Sequence, residues 1–158
     1  MDRVDKIIQQ WHKERPDLDV EPMEIIGRFK QVSQYLYREM DKTFAAYGLN
    51  AASFDVLATL RRSGPPYGLT PSELMNSTMV TSGTMTNRIN QLVIAGLVIR
   101  TENPLDARGY IIKMTDEGRL LIDQVLKEHV KTQAKLLTAL SEKDKLTLNS
   151  VLKKLLVD

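Results

Sequence analysis

The sequence predicts a mostly α-helical protein with a small β-wing, and three observations between Thr70 and Lys113 predict it. Thr70-Pro71-Ser72-Glu73 combines an N-cap residue, a proline at the first helical position and an acid at the third, which starts a short helix reaching about Asn76. From Thr81 or Ser82 to Ala95, the residues Met85, Ile89, Leu92 and Val93 mark the buried face of a second helix, ended by Gly96. Leu97-Val98-Ile99-Arg100 and Tyr110-Ile111-Ile112-Lys113 are then β-prone, and the turn formers from Asn103 to Gly109 make them a hairpin with a longish tip. Two helices with little slack followed by a two-stranded ribbon describe a winged helix-turn-helix.

The remaining elements follow in order. Residues 1–13 carry Val4, Ile7, Ile8 and Trp11 at helical spacing, a stripe too small to be stable unless it docks elsewhere. Pro16 and Pro22 bound an acidic linker. Ile25, Phe29, Val32, Leu36, Met40 and Phe44 recur every three or four positions, predicting one long helix from Glu24 to Tyr47 that Gly48 terminates. Asn50 caps a helix to about Arg62, and Gly64-Pro65-Pro66 with Gly68 breaks the chain. Thr115 caps a helix to about Leu140, and Ser141 starts the last one, with Leu146, Val151, Leu152, Leu155 and Leu156. The expected organisation is an amino-terminal helix and linker over 1–23 and one domain over 24–158, with the winged helix-turn-helix at about 50–115. The helices at 24–47 and 116–158 are more apolar than a small DNA-binding unit needs for its own core, so dimerisation through these terminal helices is their simplest outlet.

Composition narrows the function. With 158 residues and 42% hydrophobic content, the chain can bury one sizeable core. No apolar run approaches the roughly 20 residues that span a bilayer, and the amino terminus is too polar for a signal peptide, so a cytoplasmic protein without membrane association is expected. Cysteine is absent, which removes disulfides, thiolate zinc sites and cysteine nucleophiles. His12 and His129 are far apart, with no glycine-rich phosphate loop and no metal-ligand spacing, so neither catalysis nor a metal or cofactor is expected. His129, on a charged helix face, reads as a solvated residue. Net charge is only +2, but its distribution is uneven. Glu14, Asp17, Asp19, Glu21 and Glu24 face Arg15 alone, whereas Arg88, Arg100, Arg108 and Lys113 outweigh Glu102 and Asp106 in the predicted reading region.

On the second helix of that region, Thr84, Asn87, Arg88 and Gln91 fall at i, i+3, i+4 and i+7, away from the buried face. Asn and Gln suit adenine and Arg suits guanine, while Ser72, Thr81, Ser82, Thr84 and Thr86 can take phosphates or a thymine methyl. Alone, such a face is equally that of an ordinary solvated helix; the capped helix before it and the hairpin after it point to DNA. Arg108, beside the hairpin tip, can enter a narrow A/T-rich minor groove with Asp106 holding its guanidinium.

At this point the residues resemble a known family. Thr81 to Ile89 as recognition helix, Leu92-Val93-Ile94-Ala95-Gly96-Leu97-Val98, the Asp106-Ala107-Arg108 wing and the Met114-Thr115-Asp116-Glu117-Gly118 helix start are together characteristic of MarR-type regulators. Ala107 stands where that family frequently has a second arginine. The resemblance covers about Glu24 to the end. It implies a homodimer whose two winged lobes read a pseudo-palindromic operator in double-stranded DNA, acting as a repressor released by a small ligand.

A second set, Trp11, Asp55, Arg88 and Arg100, resembles the urate-responsive, PecS-like subfamily. Its marks are an added amino-terminal helix with a tryptophan, an acid in the helix before the helix-turn-helix, and arginines in the recognition helix and wing. An aromatic plate, one acid and two guanidinium groups suit a flat anionic molecule such as urate. Such a ligand would bridge Arg88 and Arg100, repel Asp55 and drag the recognition helix. The same residues also fit plainer roles: Trp11 anchoring a helix, Asp55 favouring a helix start and Arg88 touching phosphate. A ligand-independent or differently induced DNA-binding regulator is the alternative.

Overall fold

The structure, a computed structural model, describes residues 1–78 and 82–156, with the side chains at 82–84 and 107 outside the description. The described elements are α1 (Arg3–Glu14), α2 (Glu21–Ala45), α3 (Ala51–Arg62), β1 (Gly68–Leu69), α4 (Pro71–Ser77), α5 (Ser82–Ile94), β2 (Val98–Asn103), β3 (Asp106–Met114), α6 (Asp116–Leu136) and α7 (Glu142–Leu155). No helix among the described residues is long and apolar enough to cross a membrane. The chain divides into two compact units, Met1–Glu39 and Met40–Asp158, with the division inside α2.

In the first unit α1 is stabilised by docking. Val4, Ile8 and Val20 bury one another, and an Asp2–Asp5 capping box closes the helix start. Arg28 donates to Asp2 at 2.9 Å and pairs with Asp5 and Glu24 as well. The Asp5 backbone N–H, and after it Arg28, hold the Asp2 carboxyl below its ordinary range. Helix α2 starts earlier than the apolar stripe suggests. Pro22 sits in its first turn, where no intrahelical N–H bond is lost, and Glu21 and Glu24 suit the positive helix end.

The second unit is organised around α3, whose Val56, Leu57 and Leu60 are fully buried. Leu74 of α4, Met85, Ile89 and Leu92 of α5, Val98 and Ile112 of the sheet, and Ile122 and Val125 of α6 complete this core. Each such side chain contributes about 1.5–3 kcal/mol of burial free energy. Phe44, Phe54 and His129 form an aromatic cluster beside it, with Phe44 and Phe54 stacked at 4.3 Å and His129 4.7 Å from Phe54. The expectation of a solvated His129 is therefore wrong. It is half-buried, its Nδ1 is buried without a hydrogen-bond partner among the described residues, and desolvation pushes its pKa down.

The wing also differs from the expected hairpin. It is a three-stranded antiparallel sheet in the order β1-β3-β2, because Gly68 and Leu69 pair with Lys113 and Ile112. The ribbon runs out to Asn103 and Asp106 with a register shift at Glu102/Asn103, leaving a short tip instead of a long one. Ladder pairing and local side-chain bonds here override the weak β-propensity of Asn and Asp. Helix α6 likewise stops at Leu136, short of Leu140, where the Thr138 hydroxyl donates to the Lys135 carbonyl at 2.8 Å.

The wing root is tightly jointed. Gly96, in a left-handed conformation (φ 73°), ends α5 and turns the chain into β2. The Thr115 hydroxyl donates to the Gly96 carbonyl at 2.8 Å and accepts from the Gly118 N–H at 3.0 Å, so one side chain fastens the end of α5 to the start of α6. At Gly118 a Cβ would stand 2.1 Å from the Leu97 carbonyl oxygen, so the two backbones meet with no room for a side chain. On the other edge, the Tyr67 carbonyl accepts from the Met114 N–H at 2.9 Å. The Tyr67 ring lies under Arg61, which grips Asp123 of α6 at 2.7 Å.

Of the periodic α2 residues only Phe44 is buried; Ile25, Phe29 and Val32 are exposed. Helix α7 buries none of its residues, and Leu146 is 74% exposed and Leu155 61%.

Candidate nucleic-acid interface

Helix α4 is set by its start. The Thr70 hydroxyl accepts from the Glu73 N–H at 3.2 Å and the Glu73 carboxylate accepts from the Thr70 N–H at 2.8 Å. That backbone bond, with the Thr70 hydroxyl, lowers the Glu73 pKa. At the other end Arg62 of α3 donates to the Ser77 carbonyl. Ser72 is exposed in the first turn.

On α5, burial of Met85, Ile89 and Leu92 turns the opposite face outward, and Thr86, Asn87 and Gln91 are exposed there. Ser82 and Thr84 lie on the helix with their side chains outside the description, and Thr81 lies outside the described residues. Arg88 lies at the edge between the two faces. Its Nη1 donates to Ser53 Oγ of α3 at 3.3 Å and to Gln91 Oε1 at 2.7 Å. Its Nε is buried with no hydrogen-bond partner among the described residues. An unpaired buried N–H is costly, so this donor favours any acceptor that can reach it.

Arg100 is positioned by strand alternation. It pairs opposite Ile112 and shares the face of Val98, the inner face of the ribbon, just beyond the core. From there Nη2 donates to Asn90 Oδ1 of α5, and the guanidinium carbon lies 5.5 Å from the centre of the Tyr110 ring. Arg100 thus ties the wing to α5. Asp55 is half-buried on α3, two residues beyond Ser53 and so about 160° round the helix axis from it. Trp11 is on α1 of the first unit, 40% exposed. Arg108 is exposed beside the wing tip. Asp106 Oδ1 accepts from the Arg108 backbone N–H at 3.0 Å, and no ion pair joins the two side chains among the described residues. Asp106 therefore shapes the turn that presents Arg108, where the expectation had it holding the guanidinium.

Ser53, Asn90 and Tyr110 are the contacts that sequence reasoning missed. Ser53 and Asn90 meet their arginines across element boundaries, which no local spacing reveals. Tyr110 is Arg100's diagonal neighbour on one ribbon face, visible only once the register is known.

A family model for the MarR family matches residues 47–109, the span from the end of α2 to the wing tip. The HTH-type transcriptional regulator PecS of Dickeya dadantii is 45% identical over 149 residues, which cover 94% of this chain and 90% of that protein. The chain belongs to the MarR family. Among solved structures, a mutant MarR from Escherichia coli complexed with operator DNA matches this MarR-family chain with a TM-score of 0.75 and 29% identity, covering 87% of this chain and 98% of that one. A structure of Bordetella bronchiseptica BpsR, whose DNA binding is regulated by 6-hydroxynicotinic acid, has a TM-score of 0.73 over 82% of this chain and 90% of that one. At 20% identity it shows the fold alone. This MarR-family protein is therefore a DNA-binding transcriptional regulator and not an enzyme, with α5 in the place of the recognition helix and β2–β3 as the wing.

Proposed function

We propose that the protein is a repressor that binds a pseudo-palindromic operator as a cytoplasmic homodimer and lets go when a small anionic aromatic ligand such as urate binds Arg88 and Arg100. The observation that carries this reading is the position of Arg88. It is on the recognition helix, yet it is turned to α3, and its buried Nε–H has no acceptor among the described residues. Arg100 stands on the inner face of the wing and is linked to the same helix through Asn90. A carboxylate or urate-like anion accepting from both guanidinium groups would hold α5 to the α3 side and wing and take Arg88 away from DNA. Asp55 is on α3 but about 160° round from Ser53, so it would answer such an anion through movement of the helix and not by facing it. The exposed apolar residues of α2 and α7 support the homodimer. The PecS relative agrees with the subfamily that the set of Trp11, Asp55, Arg88 and Arg100 resembles.

The test is release. A duplex selected from random sequence by the protein itself is bound, and urate is titrated in. A coupling of about 1–3 kcal/mol weakens DNA binding roughly 5- to 150-fold. Asp55→Asn should blunt the response while DNA affinity is kept. No release at about millimolar urate would remove urate as the ligand, and no release by any aromatic anion would leave the ligand-independent regulator. DNA binding itself is checked by its steep fall with salt, with a slope near −0.9 per phosphate neutralised.

A further inference from the structure

The wing tip carries a feature that neither phosphate contact nor ligand binding uses. Leu105 is 95% exposed, more than any other large apolar side chain among the described residues. It is also held in place. The Asn103 side chain accepts from the Leu105 N–H at 3.0 Å, Asp106 accepts from the Arg108 N–H at 3.0 Å, and the pairing of Asn103 with Asp106 closes the ribbon under Pro104 and Leu105. Pro104 narrows the backbone further by locking its own φ. The Asn103 bond fixes the backbone of the turn at Leu105, whose side chain stands outward.

We propose that Leu105 is an apolar wedge that enters the minor groove alongside Arg108 and partly unstacks one base step in each half-site. The inference rests on the DNA-binding function given above. The chemistry is complementary on both counts. Arg108, three residues on and exposed, meets the negative potential of the groove, and Pro104-Leu105 offers the type of apolar tip that minor-groove binders place between base pairs. Buried against unstacked base faces, the leucine would lose the water contact that it keeps in the free chain. A wedge of this kind selects flexible pyrimidine–purine steps at positions where no base edge is read.

The experiment places 2-aminopurine at successive positions across the flanks of a protein-selected duplex and measures fluorescence at saturating protein. The wild-type chain should raise fluorescence at one discrete step per half-site, and Leu105→Ala should lose that rise while still saturating the duplex. Leu105→Met should restore it. Arg108→Ala should weaken binding and reduce its salt dependence. A wild-type complex with no rise at any flank position, or a Leu105→Ala complex with an undiminished rise, overturns the wedge while DNA binding stands. Absence of salt-dependent duplex binding would instead strike DNA binding itself, and the wedge with it.

Discussion

Arg88 and Ser53 join the recognition helix to α3 through one hydrogen bond of 3.3 Å. Ser53 is only 7% exposed, so the bond draws the arginine toward α3, while the 2.7 Å bond to Gln91 keeps it at the edge of the outward face. Removing the hydroxyl should free Arg88 for phosphate. A bond worth about 0.5–1.5 kcal/mol predicts that Ser53→Ala tightens operator binding roughly 2- to 10-fold. Fluorescence anisotropy with labelled duplex reads this directly; unchanged or weaker binding would show that Arg88 does not need releasing.

Asn90 engages the guanidinium that the proposed ligand must reach. In Asn90→Ala that competition is gone, and the urate concentration for half-release should fall roughly 2- to 10-fold, by the same hydrogen-bond arithmetic. A higher requirement would mean that Asn90 instead aims Arg100 at the ligand.

Gly118 sets two effects against each other. Alanine in a helix normally gains about 0.8–1 kcal/mol over glycine. Here its Cβ would lie 2.1 Å from the Leu97 carbonyl oxygen, backbone that has little freedom to give. The clash should win, costing about 3 kcal/mol net. Gly118→Ala should therefore melt roughly 6–12 °C lower in a chain of this length, and a rise in Tm by differential scanning calorimetry would refute the close approach.

His129 should make stability depend on pH. Burial between Phe44 and Phe54 lowers its folded-state pKa below the ordinary 6.5. Its helix neighbours Glu128 and Lys131 pair with each other. Between the folded value and 6.5 the unfolded chain binds more protons at this site. The stabilisation is thus complete above pH 6.5 and is lost as pH falls through the lowered pKa. Thermal melts at about pH 7.5 and about pH 5.5 should differ less for His129→Leu than for the wild type; an equal difference assigns the pH dependence elsewhere.

What was legible in the sequence follows from the range of the interactions involved. The caps at Asn50, Thr70, Thr115 and Ser141 act within three residues, and each accepts the backbone bond its residue type predicts. The buried face of α5 follows from helical period alone. The register of β2 and β3, the third strand and the partners of Arg88 and Arg100 depend on residues distant in the chain, so pattern left them open. His129 misled because its neighbours on α6 are charged, while Phe44 and Phe54 come from other helices. The α2 and α7 stripes were read correctly as apolar, and their exposure in one chain is what leaves a partner surface to be proposed.

The ion cluster of Arg28 with Asp2, Asp5 and Glu24 is partly open to solvent, so dissolved ions weaken it as they weaken any surface pair. The grip of a regulator on phosphates loosens with the same ions. Osmotic upshift, which loads a cell with salt, therefore acts on this chain twice: at its contact with the genome, and at the fastening of its own first helix.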